Sequence, residues 1–126
     1  MRPYRKNVLH IIIAVALYFA QMASISAFFR DDLLLTLLSV IICGAGFILW
    51  HERGDMISFA AGAVLGPGGE IVYVHFGAWQ YANPSFLGIP VWLILGWGLA
   101  VLLVKRFSES LVRIMERSPG PARGRS

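Results

Sequence analysis

Four apolar runs, at 8–29, 33–50, 56–77 and 89–104, take up most of the 126 residues and decide what the chain can become. A hydrocarbon core about 30 Å thick is crossed by roughly 20 apolar residues in a helix, a length that the first three runs meet. The fourth meets it when Pro90 begins it and Lys105 and Arg106 snorkel at its end. With 57% hydrophobic and 14% charged residues and a mean hydropathy of +0.67, the chain has too little polar material to cover a soluble domain of this size. The expected fold class is therefore all-α: an integral membrane bundle of four transmembrane helices in one domain, 1–106. A cytoplasmic amphipathic helix follows over 107–117, where Leu111, Val112, Ile114 and Met115 oppose Glu109, Arg113, Glu116 and Arg117. The Pro-, Gly-, Arg- and Ser-rich residues 118–126 are expected to form a disordered basic tail.

Charge sets the orientation. Arg2, Arg5 and Lys6 precede the first run, and Lys105, Arg106, Arg113, Arg117, Arg123 and Arg125 follow the last. Arg30-Asp31-Asp32 is net negative and 81–87 carries no charge, so both termini are expected in the cytoplasm and the protein in the inner, or plasma, membrane. The segment His51-Glu52-Arg53-Gly54-Asp55 fits least well, since it must be cytoplasmic and is slightly acidic. Topology and anionic lipid account for the net charge of +4. The basic residues flank spans and do not interleave with exposed aromatics on a folded domain, so nucleic acid is not an expected partner. The Arg53-Gly54-Asp55 adhesion tripeptide is discounted because it faces the cytoplasm in this topology.

The N-terminus admits a second reading. Residues 1–27 combine a basic start, an apolar stretch and small residues up to Ala27, the layout of a cleaved signal. The apolar run continues through Phe28 and Phe29 to full spanning length, which favours a retained first span. Cys43, the single cysteine, lies in the middle of the second run and has no intramolecular disulfide partner.

Within the third run, Gly66-Pro67-Gly68-Gly69 is followed at once by Glu70. Entering from Met56, the rise of 1.5 Å per residue puts Glu70 roughly 20 Å along the span, inside the bilayer. Pro67 frees the carbonyl of Ala63, and the glycines ease a kink, so the third helix is expected to be broken at 66–69 with Glu70 in the first turn of a new half-helix. Desolvation there favours a neutral acid able to donate a hydrogen bond or a proton. An intramembrane carboxyl is a candidate functional group, and it serves equally as a buried structural acid.

Gly62, Gly66, Glu70, Tyr73 and Gly77 recur at helical spacing, which marks Gly62, Gly66 and Gly77 as a packing seam. The polar stripe of the first span, Gln21 with Tyr18, is expected to face them and to form an outer pocket with Glu70 and Tyr73. Trp79 and Tyr81 sit where an aromatic belt is expected, and Trp97 does not. His75 lies near the outer end of the third run without a second ligand at metal spacing, so no metal site is expected. Walker, Rossmann, nucleophile-elbow and zincin motifs are absent from the sequence, and no cofactor is implied.

Phe76-Gly77-Ala78-Trp79-Gln80-Tyr81, Pro84, Gly88-Ile89-Pro90 and Trp97 resemble a pattern of membrane-embedded carotenoid biosynthesis proteins of the hydratase type, with Glu70 where those proteins carry an upstream acid. The resemblance implies acid-assisted addition of water to an isoprenoid double bond. It spans 70–97, about a quarter of this shorter chain, and Ile71 to His75 stand where the family has a Thr-Gly element. The same residues are similar to a signature of small uncharacterised polytopic membrane proteins: Trp-x-Tyr, Pro, Gly-Ile-Pro, then Trp-Gly.

Two functions follow as expectations. In the first, the chain binds, or binds and modifies, an apolar lipid or isoprenoid around Glu70, with Tyr73, Trp79, Tyr81, Gln21, Tyr18 and His75 shaping the pocket. In the second, it is a non-catalytic subunit or scaffold that packs against a partner membrane protein or a second copy through its Gly-rich third helix. Membrane lipids are partners in either case.

Overall fold

The computed structural model describes residues 2–85 and 87–117, and within them the chain is wholly helical apart from its connections. Four helices follow in order: α1 (Arg2–Phe28), α2 (Asp32–Leu49), α3 (Arg53–His75) and α4 (Trp92–Arg117). The first three are long and apolar enough to cross a membrane, which makes this a membrane protein. The apolar part of α4, from Trp92 to Val104, is 13 residues long and therefore roughly 20 Å, and charged residues follow at once. The expected amphipathic helix at 107–117 is the uninterrupted continuation of α4, and the tail at 118–126 lies outside the described residues.

Local chemistry sets the boundaries. Asp31 caps α2 by accepting a hydrogen bond from the Leu34 N–H at 3.1 Å. Asp55, in the first turn of α3, accepts from the Glu52 N–H at 3.0 Å and closes a free donor at that end. At the far end of α3 the Gly77 N–H reaches the Val74 carbonyl at 3.0 Å and the Ala78 N–H the Tyr73 carbonyl at 2.9 Å. That pair is a Schellman closure, with Gly77 at φ +83° as its left-handed residue.

The helix expected to break does not. α3 runs continuously through Gly66-Pro67-Gly68-Gly69, with Pro67 inside it and buried. Proline costs a helix one hydrogen bond and some crowding but keeps a helical φ, and packing on one face can hold the helix together against that loss. Here α4 supplies the packing. A Cβ on Gly66 would stand 2.2 Å from Cδ2 of Trp97, and one on Gly62 would stand 2.6 Å from both the Trp97 carbonyl and Cγ2 of Val101. Gly62 and Gly66 are thus the seam expected from the sequence, and α4 fills it. Gly77 does not belong to it: a Cβ there would meet nothing within 4 Å, and its role is the turn.

α4 is the hub of the bundle, in contact with all three other helices. Among the described residues, no Cα of α1 comes within 8 Å of one in α3, so the polar stripes of the first and third spans do not face each other. α4 stands between them. Its apolar residues build a core at each end. Leu99, Leu102 and Leu103 pack with Ala14, Ile42, Cys43 and Trp50 towards the end bearing the termini, whereas Trp92 and Leu93 pack with Leu35 and Ile89 at the end bearing the α1–α2 and α3–α4 loops. Those loops are tied together: Ser85 Oγ donates to Asp32 Oδ2 at 3.1 Å, and the Asn83 amide donates to the Arg30 carbonyl.

Because Gly66 is filled space and Gly68 is open, with nothing within 4 Å of a built Cβ, the two glycines should respond differently to one methyl group. Gly66→Ala is expected to destabilise the bundle by about 1–3 kcal/mol through overpacking, and Gly68→Ala to be neutral or slightly stabilising. Reversible unfolding in mixed detergent micelles measures both.

Candidate functional site

Glu70 sits on α3 one turn beyond Gly66, where α4 and the α3–α4 loop converge on it. Three donors meet its carboxylate. The Trp79 indole N–H donates to Oε1 at 2.9 Å, the Tyr81 hydroxyl to the same oxygen at 2.8 Å, and the Trp97 indole N–H to Oε2 at 3.1 Å. An indole can only donate, so Glu70 is the acceptor in both tryptophan bonds. Burial pushes the Tyr81 phenol up to about 12, with the hydrogen bond to Glu70 and its charge adding to the effect, so Tyr81 is also a donor at working pH. These three groups take the place of water around a carboxyl that lies in an apolar run.

Each donor is placed by the chain around it. The Schellman turn reverses the backbone so that Trp79 folds back on α3, where its ring meets Tyr73 at 5.2 Å between centroids. Tyr81 is held edge-on against Trp92, 6.3 Å between centroids. The Trp97 ring packs directly against the bare face of Gly66, which brings its N–H to the carboxylate. The loop then returns through Leu87 (φ 50°) and Gly88 (φ 85°), and a Cβ on Gly88 would press to 2.7 Å against Val74.

Of the residues singled out from the sequence, Glu70, Trp79 and Tyr81 are joined directly, and Tyr73 joins them through Trp79. His75 does not; its ring packs edge-on against Phe76 at 5.2 Å. Gln21 and Tyr18 do not either, because α4 separates α1 from α3. Gln21 turns to α2, where its Nε2 donates to Ser39 Oγ at 3.0 Å, and Tyr18 is exposed beside Phe19. Both line a groove between α1 and α4 of about 220 Å³, together with Met22, Ile25, Trp92 and Trp97. A second groove of about 220 Å³ continues it, from Tyr18, Ala100 and Leu103 to Ala14 and Phe107. Glu70 lines neither.

The other charged centre lies at the opposite end of the α3–α4 seam. Asp55 is 0% exposed and Arg106 6%. The Arg106 Nε donates to Asp55 Oδ1 at 2.7 Å, its NH2 donates to Asp55 Oδ2, and Lys105 Nζ reaches Oδ1 at 2.9 Å. Glu52 and Glu109 complete the network at 3.3 Å from Arg106 and 3.1 Å from Lys105. Hydrogen bonding to Asp55 holds the Arg106 guanidinium above its ordinary pKa, against the opposing effect of burial. The guanidinium also lies over the buried Trp50 ring at 5.9 Å, and the Trp50 indole N–H points at His10 Nδ1, 3.4 Å away. Arg106 therefore turns inward and does not snorkel.

Sequence reasoning missed this network and the part played by Trp97. The signals were present: the one acidic loop on the side expected to be basic, and the one tryptophan out of place in an aromatic belt. Among the described residues no group of three or more His, Cys, Asp or Glu side chains is placed to hold a metal. No family model matches the chain, and no curated protein or solved structure matches it either.

Removing the acceptor from three donors should loosen the loop and α4 together. Glu70→Ala is expected to cost on the order of 2 kcal/mol in detergent unfolding, and Glu70→Gln, which keeps one acceptor oxygen, about half of that. Tyr81→Phe combined with Trp97→Phe should cost less than the two separate losses added, since both act through one carboxylate. At the other centre, Asp55→Asn removes the buried counter-charge of Arg106, leaves it only the exposed Glu52, and should cost about 3 kcal/mol.

Proposed function

We propose that this chain is a multi-pass protein of the plasma membrane, with four spans and both termini cytoplasmic, that binds an apolar lipid in the lane between α1 and α4. The observation that carries the reading is the pair of grooves, sharing Tyr18, Ala100 and Leu103, that together follow α4 from Trp92 to Phe107. The lane is lined almost wholly by apolar atoms and lies open along one side, where Tyr18, Met22 and Trp97 are exposed. An apolar chain can enter such a site laterally from the bilayer. Isoprenoids are within the ligand class, in keeping with the resemblance of residues 70–97.

Several features support the topology. The positive residues flank the first and last helices, and the acidic Glu52 and Asp55 are taken up by Arg106 and Lys105, so the loop that fitted least no longer opposes it. Retention of the first span is supported by its place in the core, with Ala14 2% and Gln21 7% exposed.

The reading is one of binding, without conversion of the ligand by Glu70. That carboxylate already accepts from three donors and borders neither groove. The scaffold reading through the Gly-rich third helix has less support, because α4 occupies Gly62 and Gly66.

Ala100 lines both grooves, so Ala100→Phe should close the lane at its middle. Wild-type protein purified in a mild detergent is expected to carry a co-purifying lipid at close to one per chain. Ala100→Phe, isolated at matched membrane levels, should retain at least tenfold less, and Glu70→Gln should retain it. Lipid extracts that do not differ between wild type and Ala100→Phe would rule out binding in this lane.

A further inference from the structure

Two polar atoms at one end of the lane have no partner among the described residues. Gln21 is 7% exposed and Trp92 4%, both line the groove nearest the loops, and Gln21 Oε1 and Trp92 Nε1 are buried without a hydrogen bond. The other end of the Gln21 amide is committed to Ser39 Oγ at 3.0 Å. A buried donor or acceptor without a partner costs its full desolvation, and in hydrocarbon no water is at hand to repair it. We propose that this end of the lane is a headgroup site for a long single-chain alcohol, whose hydroxyl binds between Gln21 and Trp92 and whose tail runs along α4 towards Phe107. The proposal rests on the lipid-binding reading of the lane and names the class of lipid.

The placement comes from α4. A Cβ built on Gly96 would stand 3.5 Å from Gln21 Nε2, so the amide lies against the bare backbone of that residue. Trp92 is four residues earlier, on the same face of the helix and one turn nearer the loops. The amide and the indole therefore border the same stretch of the lane.

The chemistry follows from the two atoms. An amide oxygen only accepts and an indole N–H only donates. A hydroxyl does both at once and serves both atoms. An ether or a carbonyl would accept from Trp92 and leave Gln21 unpaired; an ammonium would do the reverse, and an ionised carboxylate has nothing to donate. The tail has room. From Trp92 to Phe107 is 15 residue steps along α4, roughly 22 Å, which is the scale of an extended fatty chain.

The test is competitive binding to the delipidated full chain, read by native mass spectrometry, with hexadecanol, its methyl ether and hexadecane as probes. Hexadecanol is expected to bind about tenfold more tightly than the ether, the ratio that one added donor gives. Gln21→Leu should reduce that ratio to about twofold or less, Trp92→Phe should weaken alcohol and ether alike by about tenfold relative to hexadecane, and both should leave hexadecane binding unchanged. An unchanged unfolding midpoint identifies a folded variant, and either of the two suffices if the other fails to fold. If alcohol, ether and alkane bind alike and all are lost in Ala100→Phe, the lane stands and the hydroxyl site is overturned. A preference for the alcohol over the ether that survives in a folded Gln21→Leu, or a preference of both over the alkane that is undiminished in a folded Trp92→Phe, also overturns it. If no probe binds, or Ala100→Phe binds all of them as wild type does, the lane itself fails.

Discussion

The close approach of α4 to α3 across Gly62 and Gly66 is the contact on which the rest of the molecule depends. Two glycines without side chains let Trp97 and Val101 lie against helical backbone. That sets the antiparallel register, and the register brings polar groups of α4 to both carboxylates of α3: Trp97 to Glu70, and Arg106 with Lys105 to Asp55. The two acids are 15 residues apart, roughly 22 Å along the helix. Both sit on the side turned to α4, with the glycines between them. A shift of one turn along the seam would strand both. Small residues thus give the contact its closeness, and the charges at its ends give it a single register.

The two clasps solve the same problem with different materials. At the end bearing the termini, Asp55 meets Arg106 and Lys105, and the charges nearly cancel within a network that includes Glu52 and Glu109. At Glu70 the carboxyl oxygens are met by three neutral donors on aromatic rings. Rings of this kind suit an apolar neighbourhood, since each presents one polar atom to the carboxylate and hydrocarbon elsewhere. This is why Trp79 and Trp97 can be 45% and 37% exposed while their N–H groups are fully engaged.

Much of the fold was legible because the signals that specify it are local. Apolar run length gave the helices, and Gly62 and Gly66 have the spacing of a seam, whereas Gly77, expected in that seam, ends α3 instead. What failed was everything that depends on which helix lies beside which. Pro67 reads as a break when α3 is considered alone; packed against α4, the helix carries it. Gln21 and Glu70 look like partners because they are the polar residues of their spans, yet α4 separates those spans. Trp97 was read against an aromatic belt and belongs to a carboxylate 27 residues away. The pairing of Asp55 with Arg106, 51 residues apart, has no local trace beyond a loop of unexpected sign.

The central place of α4 also bears on how the protein is assembled. α1 and α2 can pair as soon as both are made, since Gln21 and Ser39 join them without help from later residues. α3 has no such early partner. Its backbone stays away from α1 and α2, and its side chains reach α2 through Phe47 on Phe59, with ring centroids 4.9 Å apart. Until the last helix emerges, a nascent chain holds a segment with two carboxylates and a bare glycine face. Completion of the bundle is therefore a single late event, in which arrival of α4 covers the glycines and gives both acids their α4 partners together. A ribosome stalled before Trp92 would leave on its chain the features that membrane quality control is suited to recognise.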